Sequence, residues 1–284
     1  MKNALTVDLE DWYQTELLQI APAEWDEMED RVEVGTELIL ELLDQHGVKA
    51  TFFVVGHIAR RHPGLVRKIA DLGHEIGCHG DRHRTVYRLQ PNEFRLDLRA
   101  ARQSIEDTVG RPVNSFRAPS WSISRRSLWA LEILADEGFT CDSSVQPFWT
   151  PLSGIHGAPA TPYRPLVNGR EIPLLEFPPT TVGLGPWRLP FAGGFYIRAV
   201  PFWLSCLALQ HVNGSGPGMV YLHPWELDPK QVQLCASRKS CPLRHLHCWN
   251  LNTVESRLGQ LLGRFDFAPL QEVVSGQSYP ALPV

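Results

Sequence analysis

The stretch "ATFFVVGHIARRHPGLVRKIADLGHEIGC", residues 50 to 78, holds two strand signals with a helix signal between them. Its ends, "ATFFVV" and "HEIGC", are short apolar or β-branched runs that suit strands buried in a parallel sheet. Between them, "PGLVRKIADLG" repeats its apolar residues at helical spacing, with Pro63 fitted to the first turn and Gly73 to the end. Strand, helix, strand in this order is the unit of a parallel sheet with right-handed crossovers.

The same rhythm extends in both directions. Upstream, "ALTVDL" (4 to 9) reads as a strand, and "TELILELLDQHG" (36 to 47) as a helix with Leu38, Leu42 and Leu43 on one face and Gly47 as its cap. Downstream, "PNEFRLDLRAARQSIEDTVG" and "SRRSLWALEILADEG" read as amphipathic helices, followed by the short segments "NSFRAPS" and "FTCDSS". From Val145 to Pro190 ten prolines leave few places for uninterrupted helix or central strand, and this region is expected to be a long loop over the fold. Order returns with "PFWLSCLALQHV" as a helix, "GMVYLHPWE" as a strand entering a loop, "NTVESRLGQLLG" as a helix opened by an Asn252/Glu255 capping box, and "FDFAPLQEV" as a closing segment. A barrel and an open doubly wound sheet both satisfy this order.

Composition narrows the function. The 284 residues suffice for one α/β domain, so a single domain over 1–284 is expected, with the Pro-rich region 145–190 and a C-terminal extension 230–284. A net charge of -4 and the lack of a basic block argue against nucleic acid as a partner. No run approaches the ~20 apolar residues needed to span a bilayer. The N-terminal "MKNALTVDLEDWYQ" meets acids before any apolar run of signal-peptide length, so the expected location is cytoplasmic. Six cysteines are too dilute for a disulfide scaffold, and Cys235, Cys241, Cys248, His245 and His247 lack the paired spacing of a zinc knuckle.

Polar residues collect where the strands end. "TVDLEDW" places Asp8, Glu10 and Asp11 there, and strand alternation sends Asp8 and Glu10 to one face. His79 and His83 follow the third strand in "HGDRH"; if they lie on one helical turn, their i and i+4 side chains project together. Two imidazoles and a carboxylate, with positions left for water, form the open ligand set of a hydrolytic metal centre. Arg117 in "FRAPS" can orient a carboxylate, and His223 with Trp225 beside it closes a later strand in "LHPWE". The carboxyl ends of parallel strands are where α/β folds build their active sites.

The ordered motifs "TVDLEDW", "HGDRH", "FRAPS", "CDSS" and "LHPWE" resemble those of NodB-type polysaccharide deacetylases, the carbohydrate esterase family 4 enzymes. "EFPPTTV", "AGGFYIR" and "VYLHPWELDP" add a likeness to the subgroup found with exopolysaccharide and exosortase (PEP-CTERM) loci. The resemblance implies a distorted (β/α) barrel of about seven parallel strands. It also implies removal of N-acetyl groups from an amino-sugar polysaccharide by metal-activated water, in exopolysaccharide biosynthesis. By position, Asp8 matches the catalytic base, His79 and His83 the metal ligands, His223 the general acid, and Arg117 the arginine that holds the base. Glu10 is taken as the metal carboxylate with Asp11 as the alternative, and a divalent ion, Zn2+, as the cofactor.

Asp142 in "CDSS" is a candidate to orient His223 or Arg117, or to cap a turn. Among Trp121, Trp187 and Trp225, the expected sugar-stacking residue is Trp225. The segment 235–248 is richer in cysteine and histidine than in the family, and neither His245 nor His247 receives a role. The partner is an N-acetylated polysaccharide or oligosaccharide, with recruitment to a membrane-associated assembly an open possibility. Two other readings stand beside this one: a metabolite amidohydrolase on the same scaffold, and an inactive sugar-binding protein.

Overall fold

The computed structural model describes residues 1–150, 153–185, 187–237 and 247–284, without the side chains of 235–237. Eight parallel strands form the main sheet: β1 (Lys2–Leu9), β2 (Thr51–Val54), β3 (Glu75–Cys78), β4 (Ser115–Phe116), β5 (Cys141–Asp142), β6 (Leu175–Glu176), β7 (Met219–Leu222) and β8 (Asp266–Ala268). Seven of them follow the order β7-β1-β2-β3-β4-β5-β6 and curl into a half-barrel, while β8 pairs with the start of β1.

Alternation along β1 explains both layers of the core. Leu5, Val7 and Leu9 point outward into the main apolar cluster, which they share with the helices. Ala4 points inward and packs with Phe53, Cys141 and Met219 in a smaller cluster inside the curl. Thr6 and Asp8 occupy the same inner face, so the polar residues stand on an apolar floor.

Helices α1 (Val32–Gln45), α2 (Gly56–Arg61), α3 (Pro63–Asp71), α4 (Pro91–Val109) and α5 (Trp129–Asp136) pack outside the sheet. Pro63 begins α3 as expected, and Gly73 follows it at φ +83°. The buried face of α1 is rotated from the expected one: Ile39, Leu40 and Leu43 are buried, whereas Leu38 and Leu42 are only partly covered. The expected Asn252/Glu255 capping box is absent. A short 3-10 turn, Leu251–Thr253, leads directly into the helix Val254–Leu262, whose N-cap Thr253 makes no side-chain capping bond.

The Pro-rich region is more ordered than a loop. It supplies β6 itself, the strands Arg164–Val167 and Arg170–Glu171, and an antiparallel hairpin of Thr181–Leu184 with Trp187–Pro190. Pairing partners from distant sequence stabilise these short strands despite the prolines. Among the described residues no helix is long and apolar enough to cross a membrane, and Cys78, Cys141, Cys206 and Cys248 are free thiols.

Candidate active site

Residues of four strands of the sheet converge at their carboxyl ends. Asp8 lies in β1, His79 follows β3, Arg117 follows β4 and His223 follows β7. Arg117 is fully buried, and its guanidinium reaches back across the curl to two residues of β1. Nη1 donates to Asp8 Oδ1 at 2.6 Å and to Thr6 Oγ1 at 2.9 Å. The other edge donates to Ser143 Oγ at 3.1 Å, while Phe53 and Trp121 cover the cation at 4.3 Å. The Arg117–Asp8 pair is thus rigid, desolvated and oriented. Trp121 is therefore part of this clamp, not an exposed stacking surface.

Glu10, His79 and His83 form a compact donor set, their ligand atoms all within 4.8 Å of one another and all three residues buried. The helical turn expected for the two histidines does not form. They lie on a loop after β3, and His83 turns back through a left-handed backbone at φ +48°. The His79 Nδ1–H donates to the Arg117 carbonyl at 2.7 Å, leaving the Nε2 lone pair available. Burial holds the His79 imidazole down at about 4, in its neutral form.

Glu10 Oε2 lies 2.5 Å from His83 Nε2, yet it has no partner with the alignment of a hydrogen bond. Burial disfavours both charged forms, but their mutual attraction wins, lowering the carboxyl and raising the imidazole. A buried carboxylate oxygen without an aligned donor, beside two imidazoles, fits a divalent cation. Asp11 is occupied elsewhere: its carboxylate accepts the backbone N–H groups of Trp12, Arg31 and Val32 at 2.7 to 2.8 Å.

His223 is held by a residue that the sequence reading missed. Glu226 Oε2 accepts from the His223 backbone N–H at 3.0 Å and lies 2.9 Å from the ring Nδ1. Behind it, Arg198 Nε stands 3.1 Å from Glu226 Oε1. The opposite ring nitrogen, Nε2, faces the cleft, 3.8 Å from Asp8 Oδ2 and 3.9 Å from Glu10 Oε1. Burial of the His223 ring favours the neutral form, but the bond and charge of Glu226, with Glu10 and Asp8, push it up to about 9. The spacing of histidine and glutamate in "HPWE" was the available signal, since a 3-10 turn brings i and i+3 together.

Trp225 lines this cleft. His223 stacks on the indole at 4.9 Å, His247 stacks at 4.1 Å, and the indole N–H donates to Glu10 Oε1 at 3.1 Å. The ring is buried and stacks with both imidazoles. His247 thus supports the cleft from behind, while Cys241 and His245 lie outside the described residues. Asp142 orients neither His223 nor Arg117. It accepts from Ser144 Oγ at 2.5 Å, and Ser144 Oγ in turn accepts the Ala118 N–H at 2.8 Å, bracing the backbone beside Arg117.

The cleft holding these groups has a volume of about 400 Å3, and a polar hollow of about 670 Å3 adjoins it at Thr15, Glu16 and His83. The smaller space is the one that contains Asp8, Glu10, His79 and His223.

Residues 25–139 match the polysaccharide deacetylase family model, and residues 143–275 match a domain of unknown function, DUF3473. A peptidoglycan-N-acetylglucosamine deacetylase of Bacillus cereus is 35% identical over 98 residues, covering 34% of this chain and 36% of that protein. A peptidoglycan deacetylase of Helicobacter pylori is 27% identical over 159 residues, covering 51% and 53% respectively. The chain therefore spans about a third to a half of those relatives' lengths. A solved structure assigned as a polysaccharide deacetylase from Mycobacterium smegmatis shares the fold at a TM-score of 0.62, with 21% identity over 99% of this chain and 92% of that one.

Proposed function

We propose that the chain, whose residues 25–139 match the polysaccharide deacetylase family model, is a metal-dependent hydrolase removing N-acetyl groups from an amino-sugar polysaccharide. The observation that carries this reading is the convergence in one cleft of an arginine-clamped carboxylate, a His–His–Glu donor set and a carboxylate-held imidazole.

Glu10, His79 and His83 would hold the cation, for which Zn2+ is the expected ion. When bound, a divalent cation supplies Lewis-acid chemistry, polarising the amide carbonyl and acidifying water. The remaining roles fall to the chain's own groups. Asp8 accepts the proton of the attacking water at Oδ2, because Oδ1 is engaged by Arg117. His223 delivers a proton from Nε2 to the departing amine, because Nδ1 is engaged by Glu226. An amide nitrogen leaves poorly as an anion, so this proton decides whether the C–N bond breaks. The products are acetate and a free amino sugar, and the cellular setting we propose is exopolysaccharide biosynthesis.

The deciding experiment measures acetate released from N-acetylglucosamine oligomers by the protein as purified, after chelation and after zinc is restored, with Asp8→Asn in parallel. Release that chelation stops, zinc restores and Asp8→Asn lacks is the expected result. Release that survives chelation sinks the metal assignment and favours a metal-free amidohydrolase. No release from a zinc-loaded protein sinks this substrate class.

A further inference from the structure

Two tryptophans of the Pro-rich region stand in water, Trp149 at 71% and Trp187 at 66% exposure. With Phe148 and Tyr196 they line a groove of about 310 Å3, at the lower end of the ~300–1,000 Å3 range of ligand clefts. Trp187 sits on the hairpin of Thr181–Leu184 and Trp187–Pro190, which also exposes Leu184 and Leu189. Exposing this much apolar ring surface is unfavourable unless something covers it, and such patches mark binding sites.

Two observations say what covers it. First, the groove adjoins the catalytic cleft at Tyr196, which lines both. Phe148 braces that tyrosine edge to face at 6.1 Å. Second, polar groups stand at the aromatic walls. The exposed Arg188 forms no ion pair or hydrogen bond among the described residues, and the exposed His156 also lines the groove. Flat apolar walls with donors at the rim match a pyranose ring, which has C–H faces and a hydroxyl edge.

We propose that this groove is a distal subsite for pyranose rings of the polysaccharide whose N-acetyl group occupies the catalytic cleft, with Trp149 and Trp187 as its stacking surfaces. The inference rests on the deacetylase reading for its ligand and adds a dependence on chain length to it. Short substrates reach the chemistry alone; longer ones also reach the tryptophans.

The test titrates the wild type, Trp149→Ala/Trp187→Ala and Trp149→Phe/Trp187→Phe with the dimer and the hexamer of N-acetylglucosamine. Calorimetry and tryptophan fluorescence report binding, and acetate release is recorded alongside. The wild type is expected to bind the hexamer more tightly than the dimer. The alanine variant loses on the order of tenfold in hexamer affinity, with dimer binding unchanged and the phenylalanine variant largely restored. Matched melting temperatures separate this from misfolding.

Equal affinity for both oligomers in the wild type, or an alanine variant that loses nothing, overturns the subsite while acetate release leaves the deacetylase reading intact. Tryptophan-dependent hexamer binding without acetate release does the reverse. Failure to bind either oligomer removes both. A wild-type dimer that the alanine variant dissociates overturns the subsite in favour of a second copy of this chain on the groove.

Discussion

Glu226 grips His223 from behind: one carboxylate oxygen, Oε2, meets both the backbone N–H and the ring Nδ1 of the histidine, at 3.0 and 2.9 Å. This fixes the ring's orientation and leaves Nε2 as its working atom, aimed at Asp8 and Glu10. Glu226 is buried, so its charge acts through little water.

That pairing sets a pH dependence. A general acid must carry its proton, so activity falls as pH rises through the pKa of His223, held up at about 9 chiefly by Glu226 against the opposing effect of burial. Replacing Glu226 with Gln keeps the shape and removes the charge, and the alkaline limb of kcat is expected to move down by about 1 to 3 pH units. The sign carries over to stability. A histidine raised above its ordinary 6.5 contributes fully below that pH and loses its contribution as pH rises through about 9. A limb that stays in place in Glu226→Gln refutes the assignment of His223 as the titrating acid.

Arg117 serves fold and chemistry together. Arg117→Ala leaves Asp8 buried without its cation, which is expected to cost about 3–5 kcal/mol in urea unfolding. Asp8→Asn retains the shape, and with the base gone its acetate release is expected to fall roughly 10²–10⁴-fold. Arg117→Lys cannot reach Thr6, Asp8 and Ser143 at once, so it should fold better than the alanine variant and still work poorly. Full activity in Arg117→Lys refutes the need for a fixed fork.

Alternation made the inner face legible. In "ALTVDLED" the residues Ala4, Thr6, Asp8 and Glu10 share one side, and the Arg117 guanidinium meets both Thr6 and Asp8. Less was legible where partners come from far away. Nothing local in the sequence reveals that His247 stacks on Trp225. The two-residue β6 is defined by its pairing with β5 more than by its own residues. The spacing of His79 and His83 suggested a helix, whereas a single left-handed residue achieves the same convergence.

The choice between Glu10 and Asp11 is open to direct measurement. Glu10→Ala removes a donor from the His–His–Glu set, and zinc content after dialysis is expected to fall with the fold retained. Asp11→Ala leaves the backbone N–H groups of Trp12, Arg31 and Val32 without their acceptor, a loss of about 1–3 kcal/mol or more in stability. Its zinc content is expected to be unchanged. The opposite pattern, metal lost with Asp11 and kept without Glu10, reverses the assignment.

Gly35 provides a test of how the fold positions the acid from a distance. It lies inside α1, where alanine ordinarily stabilises a helix by roughly 0.5–1 kcal/mol. Here a Cβ would sit 1.8 Å from the carbonyl oxygen of Pro224 and 2.5 Å from its carbonyl carbon. Pro224 directly follows His223, so either α1 or the turn carrying the acid must give way. Backbone offers no rotamer into which to retreat, so the displacement passes to the His223–Glu226 pair. Gly35→Ala is therefore expected to melt lower and to lose kcat. A variant that melts higher with kcat intact would show that the contact between α1 and this turn yields easily and does not hold the acid in place.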